Sequence, residues 1–531
     1  MYGLKEARIN SKSKLNPSTP PIFFFFLKNK TSRSSLSYPV ILSRHSPVHP
    51  YLILPIPSNP YILAELANFW QNYKVYIAIS GKLQYTSPME IRDRFYGPIL
   101  KAKIEKPFVH LVFGARQTGK STLVKSILPS ETQIIDLSDP RERMRFAADP
   151  GLFIDVCHSL PSEPGPSWIF VDEAQTVPSI FDAVQSLYDK DKERFRFILC
   201  GSSARRLRTQ SANLLPGRSV RHLLHPLLTS EYAMEMLVNT APRSAWPSFP
   251  WMVKEATDTR NEGFLDEASF SPGVSPSDAA SQASKFPFRT LENRLVFGDL
   301  PGIALQHDDA DKADLLFTYV ASYLEEEIRR EAIIRQWDSF VRFLKFAAVD
   351  SGSIVNFSSL SREAGVSLPT IKSYYQILED IFVGFMVPAF SGSPHKSALT
   401  TPQFFFFDNG VRNAAADIPL VESSVNMDPG YFFEHWVAGQ LRRELSYTGS
   451  GTLLYYRTSD GAEVDFIVQT NRELIPIEVK WTDHPRQNDT RHLKTFIAEQ
   501  SSCCARGYLV SRCPYMLDLG NHITAIPWWM I

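Results

Sequence analysis

The chain has 531 residues, 44% of them apolar, and carries 56 basic against 56 acidic side chains; that length and content suit a globular protein of about three domains. Zero formal net charge excludes a global basic field for nucleic acid, so any such contact has to be local. No apolar run reaches the roughly 18 to 20 residues that span a bilayer, which excludes membrane insertion by a helix, and five cysteines with no repeated C-x-x-C pair and no paired framework fit a reducing cytosol.

Residues 1–88 differ from the rest of the chain: Glu6 and Glu65 are their only acids against ten Lys or Arg, Ser and Pro are frequent, and the PPIFFFF run has no helical or strand period. Three readings stand for this segment. It is a transit peptide, or a secretory signal for which the Phe23 to Phe26 run is too short, or an over-extended start ahead of a true beginning near Met89. The last is preferred, because the segment has neither element periodicity nor linker composition, and no chemistry is expected in it.

At Met89 the pattern MEIRDRFYGPIL opens a helix immediately before a core, read here as residues 89–238. The next element, HLVFGARQTGKSTLVKSIL, is an apolar strand, a glycine-bounded loop and the start of an amphipathic helix. Gly114 and Gly119 bracket Ala115, Arg116, Gln117 and Thr118 and are followed by Lys120, Ser121 and Thr122, the full G-x-x-x-x-G-K-[ST] pattern in its strand-loop-helix setting. Glycines let the backbone curl so that its N–H groups face phosphate oxygens, and the following helix adds its positive end. Lys120 would reach the β- and γ-phosphates of ATP, and the Ser121 hydroxyl would ligate Mg²⁺, which prefers oxygen donors.

Residues 167–175, SWIFVDEAQ, form an apolar run from Trp168 to Val171 that reads as a buried parallel strand ending in Asp172 and Glu173. Asp172 is expected to hold the Mg²⁺ shell and Glu173 to polarise the attacking water. A further strand, Phe195 to Cys200, runs into Gly201, Ser202 and Ser203, whose hydroxyls would sense the γ-phosphate.

The phosphate loop, the VDEAQ strand end, the run GSSARRLRTQSANLLPGR from Gly201 to Arg218 and the HPLLTSEY segment together resemble the prokaryotic AAA-type ATPases that carry a C-terminal domain of unknown function with a nuclease-like core. The likeness runs from about residue 89 to the C-terminus. It implies that Arg218, in the Gly217-Arg218 pair, meets nucleotide or a neighbouring subunit of a homo-oligomer; Pro216 departs from the small residue usual there, and a plain surface arginine is an equal reading.

Residues 239–290, dense in Ser, Pro, Ala, Asp and Thr, read as a flexible insertion. Order resumes at LVFGDLPGIA, where Phe297, Gly298 and Pro301 resemble the family's short link, and the stretch from Ala313 to Arg330 has helical spacing with Tyr319, Tyr323 and Leu324 as core. Within residues 291–400, Ile354 to Phe390 gives helix, turn, helix and apolar strand, a winged helix-turn-helix outline with Gly365 at the turn and Ser367 as N-cap. Lys372 is the only base of the second helix between Ser367 and Asp380, so docking to another domain or a partner protein is preferred over DNA reading.

The last domain, residues 401–531, holds a second constellation. GAEVDFIVQTNRELIPIEVK reads as two strands joined by a polar turn, with Asp465 on the first and Glu478 and Lys480 on one face of the second. Two carboxylates suit a second divalent metal and the lysine suits a water, an arrangement that resembles the PD-(D/E)XK nuclease fold; Glu434 in FFEHWVAGQLRREL looks like the acid preceding that core. The expected architecture is therefore an α/β AAA-type ATPase core, a winged-helix connector and an α/β nuclease-like domain. The expected activity is ATP hydrolysis with Mg²⁺, the alternatives being an ATP-gated DNA endonuclease and a nucleotide-dependent binding switch that never cuts.

Overall fold

The computed structural model describes residues 92–531 except 162–164, 204–214, 234–284, 325–327, 330–333, 335, 392–400 and 459–460; before residue 92 it describes only the backbone of six short strands between Lys5 and Tyr85, which pair among themselves. Most of the 1–88 leader and of the 239–290 insertion thus lies outside the described residues. Residues 1–91 and 92–531 are separate compact units.

In the second unit, five parallel strands form the first sheet: β1 (Val109–Phe113), β2 (Gln133–Asp136), β3 (Ser167–Asp172), β4 (Phe195–Gly201) and β5 (Ser219–Leu223), in the order β5-β1-β4-β3-β2. Strands buried on both faces read as apolar runs, and their period of two divides them between two cores. Leu111, Ile169, Val171, Phe197 and Leu199 face one core with Phe153, Phe181 and Val184, whereas Val112, Phe170, Ile198 and Cys200 face the other with Tyr96, Leu100, Leu123 and Val124. Helices α1 (Tyr96–Ile104), α2 (Lys120–Ile127), α3 (Pro140–Ala148), α4 (Gly151–Ser159) and α5 (Ser179–Lys190) cover these faces. Register places Gly201 beside Phe113, and Leu199 beside Val171, so the carboxyl ends of β1, β4 and β3 lie level at one sheet edge. That edge is where an open parallel sheet binds ligands.

The chain continues through α6 (Leu291–Phe297), α7 (Asp309–Thr318) with a π-helical turn at Tyr319–Leu324, α8 (Trp337–Val349), α9 (Phe357–Ala364) and α10 (Leu368–Asp380). The turn between α9 and α10 follows the local chemistry: Gly365 takes φ 71°, and the Ser367 hydroxyl accepts the Thr370 N–H. Strand β6 (Gly384–Val387) then pairs antiparallel with β7 (Gln403–Phe406).

After α11 (Asn409–Ala415), the long α12 (Pro429–Thr448) leads into a mixed sheet of β8 (Thr452–Arg457), β9 (Glu463–Gln469), β10 (Leu474–Val479), β11 (Gly507–Ser511), β12 (Leu517–Asp518) and β13 (Ile523–Pro527), ordered β8-β9-β10-β11-β13-β12, with α13 (Arg491–Glu499) against it. One apolar core runs from Phe340, Leu378 and Phe404 through Trp436 to Phe466, Ile477 and Val510, joining the helices to one face of this sheet. No helix among the described residues is long and apolar enough to cross a membrane.

Candidate functional site

Between β1 and α2 the backbone turns with positive φ at Gly114 (152°), Gln117 (62°) and Gly119 (86°). Gly114 is required for a steric reason as well: a Cβ there would lie 2.2 Å from the Leu224 carbonyl oxygen. Lys120 is buried and its Nζ donates to the carbonyls of Gly114 (2.8 Å) and Ala115 (2.9 Å), folding the ammonium over its own loop. The Thr118 hydroxyl donates to the Ala115 carbonyl, while Thr122 is exposed and the Arg116 carbonyl accepts from the Tyr319 hydroxyl.

The acidic edge meets this loop. The Ser121 hydroxyl faces the Asp172 carboxylate and favours its charged form, and the Lys125 ammonium stands 3.8 Å from Asp172 and 3.9 Å from Asp136. Burial raises the Asp172 pKa; the Ser121 hydroxyl and Lys125 oppose this, and the neighbouring Glu173 and Asp136 charges add to it. A hydroxyl and a carboxylate that face each other are hard oxygen donors, a set that fits Mg²⁺. Glu173 adopts the left-handed conformation at φ 54°, a strain of order 1–3 kcal/mol for a non-glycine residue. Its carboxylate accepts from Gln175 Nε2 (2.6 Å) and from the Ser202 hydroxyl (3.4 Å); Ser203 is buried beside them. Lys120, Ser121, Asp172, Glu173 and Ser202 are thus brought to one edge.

Arg218 is not. Its carbonyl accepts the Val109 N–H at the amino end of β1, and its guanidinium pairs with Asp189 at 2.5 and 3.1 Å. It therefore stands at the sheet edge opposite its own chain's phosphate loop.

Arg94 was invisible as a site residue in the sequence. Its buried guanidinium donates to Glu231 (2.7 Å), the Thr118 carbonyl (2.6 Å) and the His225 carbonyl (2.7 Å), tying the phosphate loop to the chain after β5. Burial works against the charge, but the Glu231 carboxylate outweighs it and the Arg94 pKa is raised.

In the C-terminal sheet, β9 and β10 pair antiparallel from Phe466 and Ile477 outward, which sets Asp465 next to Glu478. Asp465 accepts the Val479 N–H at 2.7 Å, and Lys480 Nζ pairs with Glu478 at 2.7 Å. Burial, then the Glu478 charge, pushes the Asp465 carboxyl up to about 8. Glu434, from α12, is raised well above the carboxylate range by burial and by Asp465 and Glu463. Glu478 Oε2 is buried with no hydrogen-bond partner, an orphan acceptor that fits a cation or a protonated ligand. The acids are close enough to repel but not closed around a point: among the described residues no group of three or more His, Cys, Asp or Glu is placed to hold a metal ion. Glu463, which contributes to the shifts of all three acids, belongs with them, and its place at the start of β9 was the only sequence signal for it.

A buried hub joins the two halves. Asp299, fully buried, accepts from Arg294 (2.8 Å), Tyr232 (2.9 Å), Arg443 (3.0 Å), Trp436 (3.1 Å) and Gln440 (3.1 Å). Its donors come from the segment after β5, from α6 and from α12, the helix that also carries Glu434.

A family model described as an AAA domain matches residues 106–233, and two domains of unknown function, DUF8612 and DUF4143, match residues 288–422 and 429–531. An uncharacterized protein of Mycobacterium tuberculosis is 22% identical over 451 residues, covering 85% of this chain and 86% of its own length. An uncharacterized protein of Haemophilus influenzae is 21% identical over 419 residues, covering 76% and 89%. The solved structure of protein VC1899 from Vibrio cholerae covers 79% of this chain and 94% of its own at 12% identity and a TM-score of 0.15, too low to carry a fold argument. The phosphate loop and acidic strand end lie within an AAA-type domain, a nucleotide-binding architecture of the ATPase kind, and a DUF4143 domain closes the chain.

Proposed function

We propose that this chain hydrolyses ATP at the edge formed by β1, β3 and β4 and that hydrolysis drives a change in its C-terminal domain. The observation that carries the reading is the gathering at one sheet edge of Lys120 in the phosphate loop, Ser121 facing Asp172 at the start of α2, and Glu173 beside Ser202. Ser121 and Asp172 would hold Mg²⁺, which supplies charge neutralisation at the β- and γ-phosphates. Lys120 leaves the two loop carbonyls for phosphate oxygens, and loop N–H groups bind the rest. Glu173 orients a water and takes its proton as the water oxygen bonds to the γ-phosphorus; the bond to the bridging oxygen breaks, giving ADP and phosphate. Ser202 and Ser203 contact the γ-phosphate. Arg218 acts, on this reading, on the site of a neighbouring subunit in a homo-oligomer, since it lies across the sheet from its own.

Helices α8 to α10 with the β6–β7 hairpin serve as a winged-helix connector, and the cytosol is the expected compartment. The orphan Glu478 oxygen beside Asp465, Glu434 and Lys480 favours a second reading, a nuclease-like domain that takes a divalent metal and DNA. Lys120→Ala is expected to weaken ATP binding by about tenfold or more, a charge-assisted contact being worth about 1.5–3 kcal/mol, and Glu173→Gln to abolish turnover while ATP still binds. Unchanged turnover in Glu173→Gln refutes the assignment. Plasmid incubated with Mg²⁺ or Mn²⁺ and ATP separates the second reading from a switch that never cuts.

A further inference from the structure

Gln175 is nearly fully buried. Its Nε2 donates both to Glu173 Oε2 (2.6 Å) and to the Ser202 hydroxyl (2.9 Å), while Ser202 also reaches Glu173. A carboxylate only accepts, so the amide orientation is fixed with its nitrogen toward Glu173. That leaves Oε1 buried without a partner, pressed against Gly201, where a Cβ would lie 2.8 Å from it. The backbone is arranged for this contact: the left-handed turn at Glu173 starts a 3₁₀ turn over Ala174–Thr176, which carries residue 175 back onto the carboxylate two positions before it. A buried amide that leaves its own carbonyl unsatisfied in order to hold two other groups is an arrangement with a cost, and such arrangements persist where position matters.

We infer that Gln175 is a positioning residue that locks the Glu173 carboxylate and the Ser202 hydroxyl into one unit, fixing where the attacking water sits relative to the γ-phosphate. The inference rests on the ATPase reading above. Gln175 touches neither phosphate nor metal in it, so its loss acts on the chemical step rather than on binding; a displacement of about 1 Å at a reacting group costs up to about 100-fold.

The test is steady-state ATP hydrolysis by the full chain with Mg²⁺, ATP affinity and thermal midpoint being measured alongside. Gln175→Ala is expected to lower kcat about 10- to 100-fold with ATP affinity within about twofold of the parent. Gly201→Ala leaves every hydrogen-bonding group in place but pushes the amide by its Cβ, and is expected to lower kcat in the same direction by less; it also serves if Gln175→Ala fails to fold. If Glu173→Gln is inactive while Gln175→Ala and Gly201→Ala keep parental kcat, or run faster, positioning by Gln175 is overturned and the ATPase reading stands. If Glu173→Gln itself turns over like the parent, the water-polarising role falls and this inference falls with it. Parallel loss of ATP affinity and thermal midpoint in Gly201→Ala would mark a merely structural amide and overturn the inference as well.

Discussion

Two groups of buried carboxylates meet the same helix, α12, and are treated in opposite ways. Asp299 has no exposure at all, yet two guanidiniums, a phenol, an indole and an amide donate to it, and Arg294 and Arg443 hold its carboxyl well below the usual carboxylate range against the penalty of burial. Asp465 is only half-buried, yet it receives one backbone N–H, shares one lysine with Glu478 and faces other acids, and its carboxyl rises instead. Burial does not decide what a buried acid becomes; the number of donors and cations brought to it does. The saturated group is a joint between domains. The one left short of positive charge and holding an orphan oxygen is the better candidate for binding something from outside.

The sharpest test of that contrast is to remove the charge from the saturated group. Asp299→Asn keeps the shape but strands Arg294 and Arg443 in the interior, and a destabilisation of about 3–5 kcal/mol is expected, read as a lower urea midpoint. A loss under about 1 kcal/mol would show that the arginines find other partners and that the hub is not a closed ion group.

A pair that carries no charge extends the comparison. His110 Nε2 lies 3.2 Å from the Lys106 carbonyl, His110 Nδ1 3.0 Å from His222 Nε2, and His222 Nδ1 2.9 Å from the Tyr96 hydroxyl. A carbonyl only accepts, so the proton order runs from Tyr96 through His222 to His110 with both rings neutral. Burial lowers both imidazoles, His222 to about 3. Folded pKa values below the unfolded 6.5 mean that the unfolded chain takes up protons first as pH falls. Stability is therefore intact above about pH 6.5 and lost toward pH 3, by on the order of 3 kcal/mol between pH 7 and pH 4. The double variant His110→Gln/His222→Gln is expected to flatten that slope in urea titrations; an unchanged slope would place the acid sensitivity elsewhere.

How much of this was legible depends on distance along the chain. The phosphate loop, the strand ending in Asp172 and Glu173, the Gly365 turn with its Ser367 cap, and the β9–β10 hairpin are local patterns, and each has the structure its residues dictate. Arg94 and Glu231 are 137 residues apart, and Arg443 and Asp299 are 144 apart; no local period points from one to the other. Gln175 stood in plain sight two residues after Glu173, but only the left-handed backbone at Glu173 turns it back, and an acidic residue does not announce that conformation. Arg218 was placed by its pattern, whereas its direction follows from β5 running parallel to β1, which puts the start of β5 at the edge away from the loop.

The smallest expected effect is also the most discriminating. Because the Asp465 carboxyl is pushed up to about 8, the unfolded chain gives up this proton near pH 4 while the folded chain keeps it. The acid thus costs no stability below about pH 4 and increasingly more as pH rises to about 8. Asp465→Asn removes that cost and retains an oxygen for the Val479 N–H; with solvent screening of this half-buried group counted, it is expected in metal-free buffer to stabilise by on the order of 1–2 kcal/mol at pH 8 and by nothing at pH 4. Mg²⁺ or Mn²⁺ is expected to reverse the order: a cation that binds the folded parent raises its thermal midpoint with concentration, and the variant, one anionic oxygen short, gains less. Destabilisation by Asp465→Asn at pH 8 without metal would mean that this acid, like Asp299, is already complete, and the distinction between the two ends of α12 would disappear.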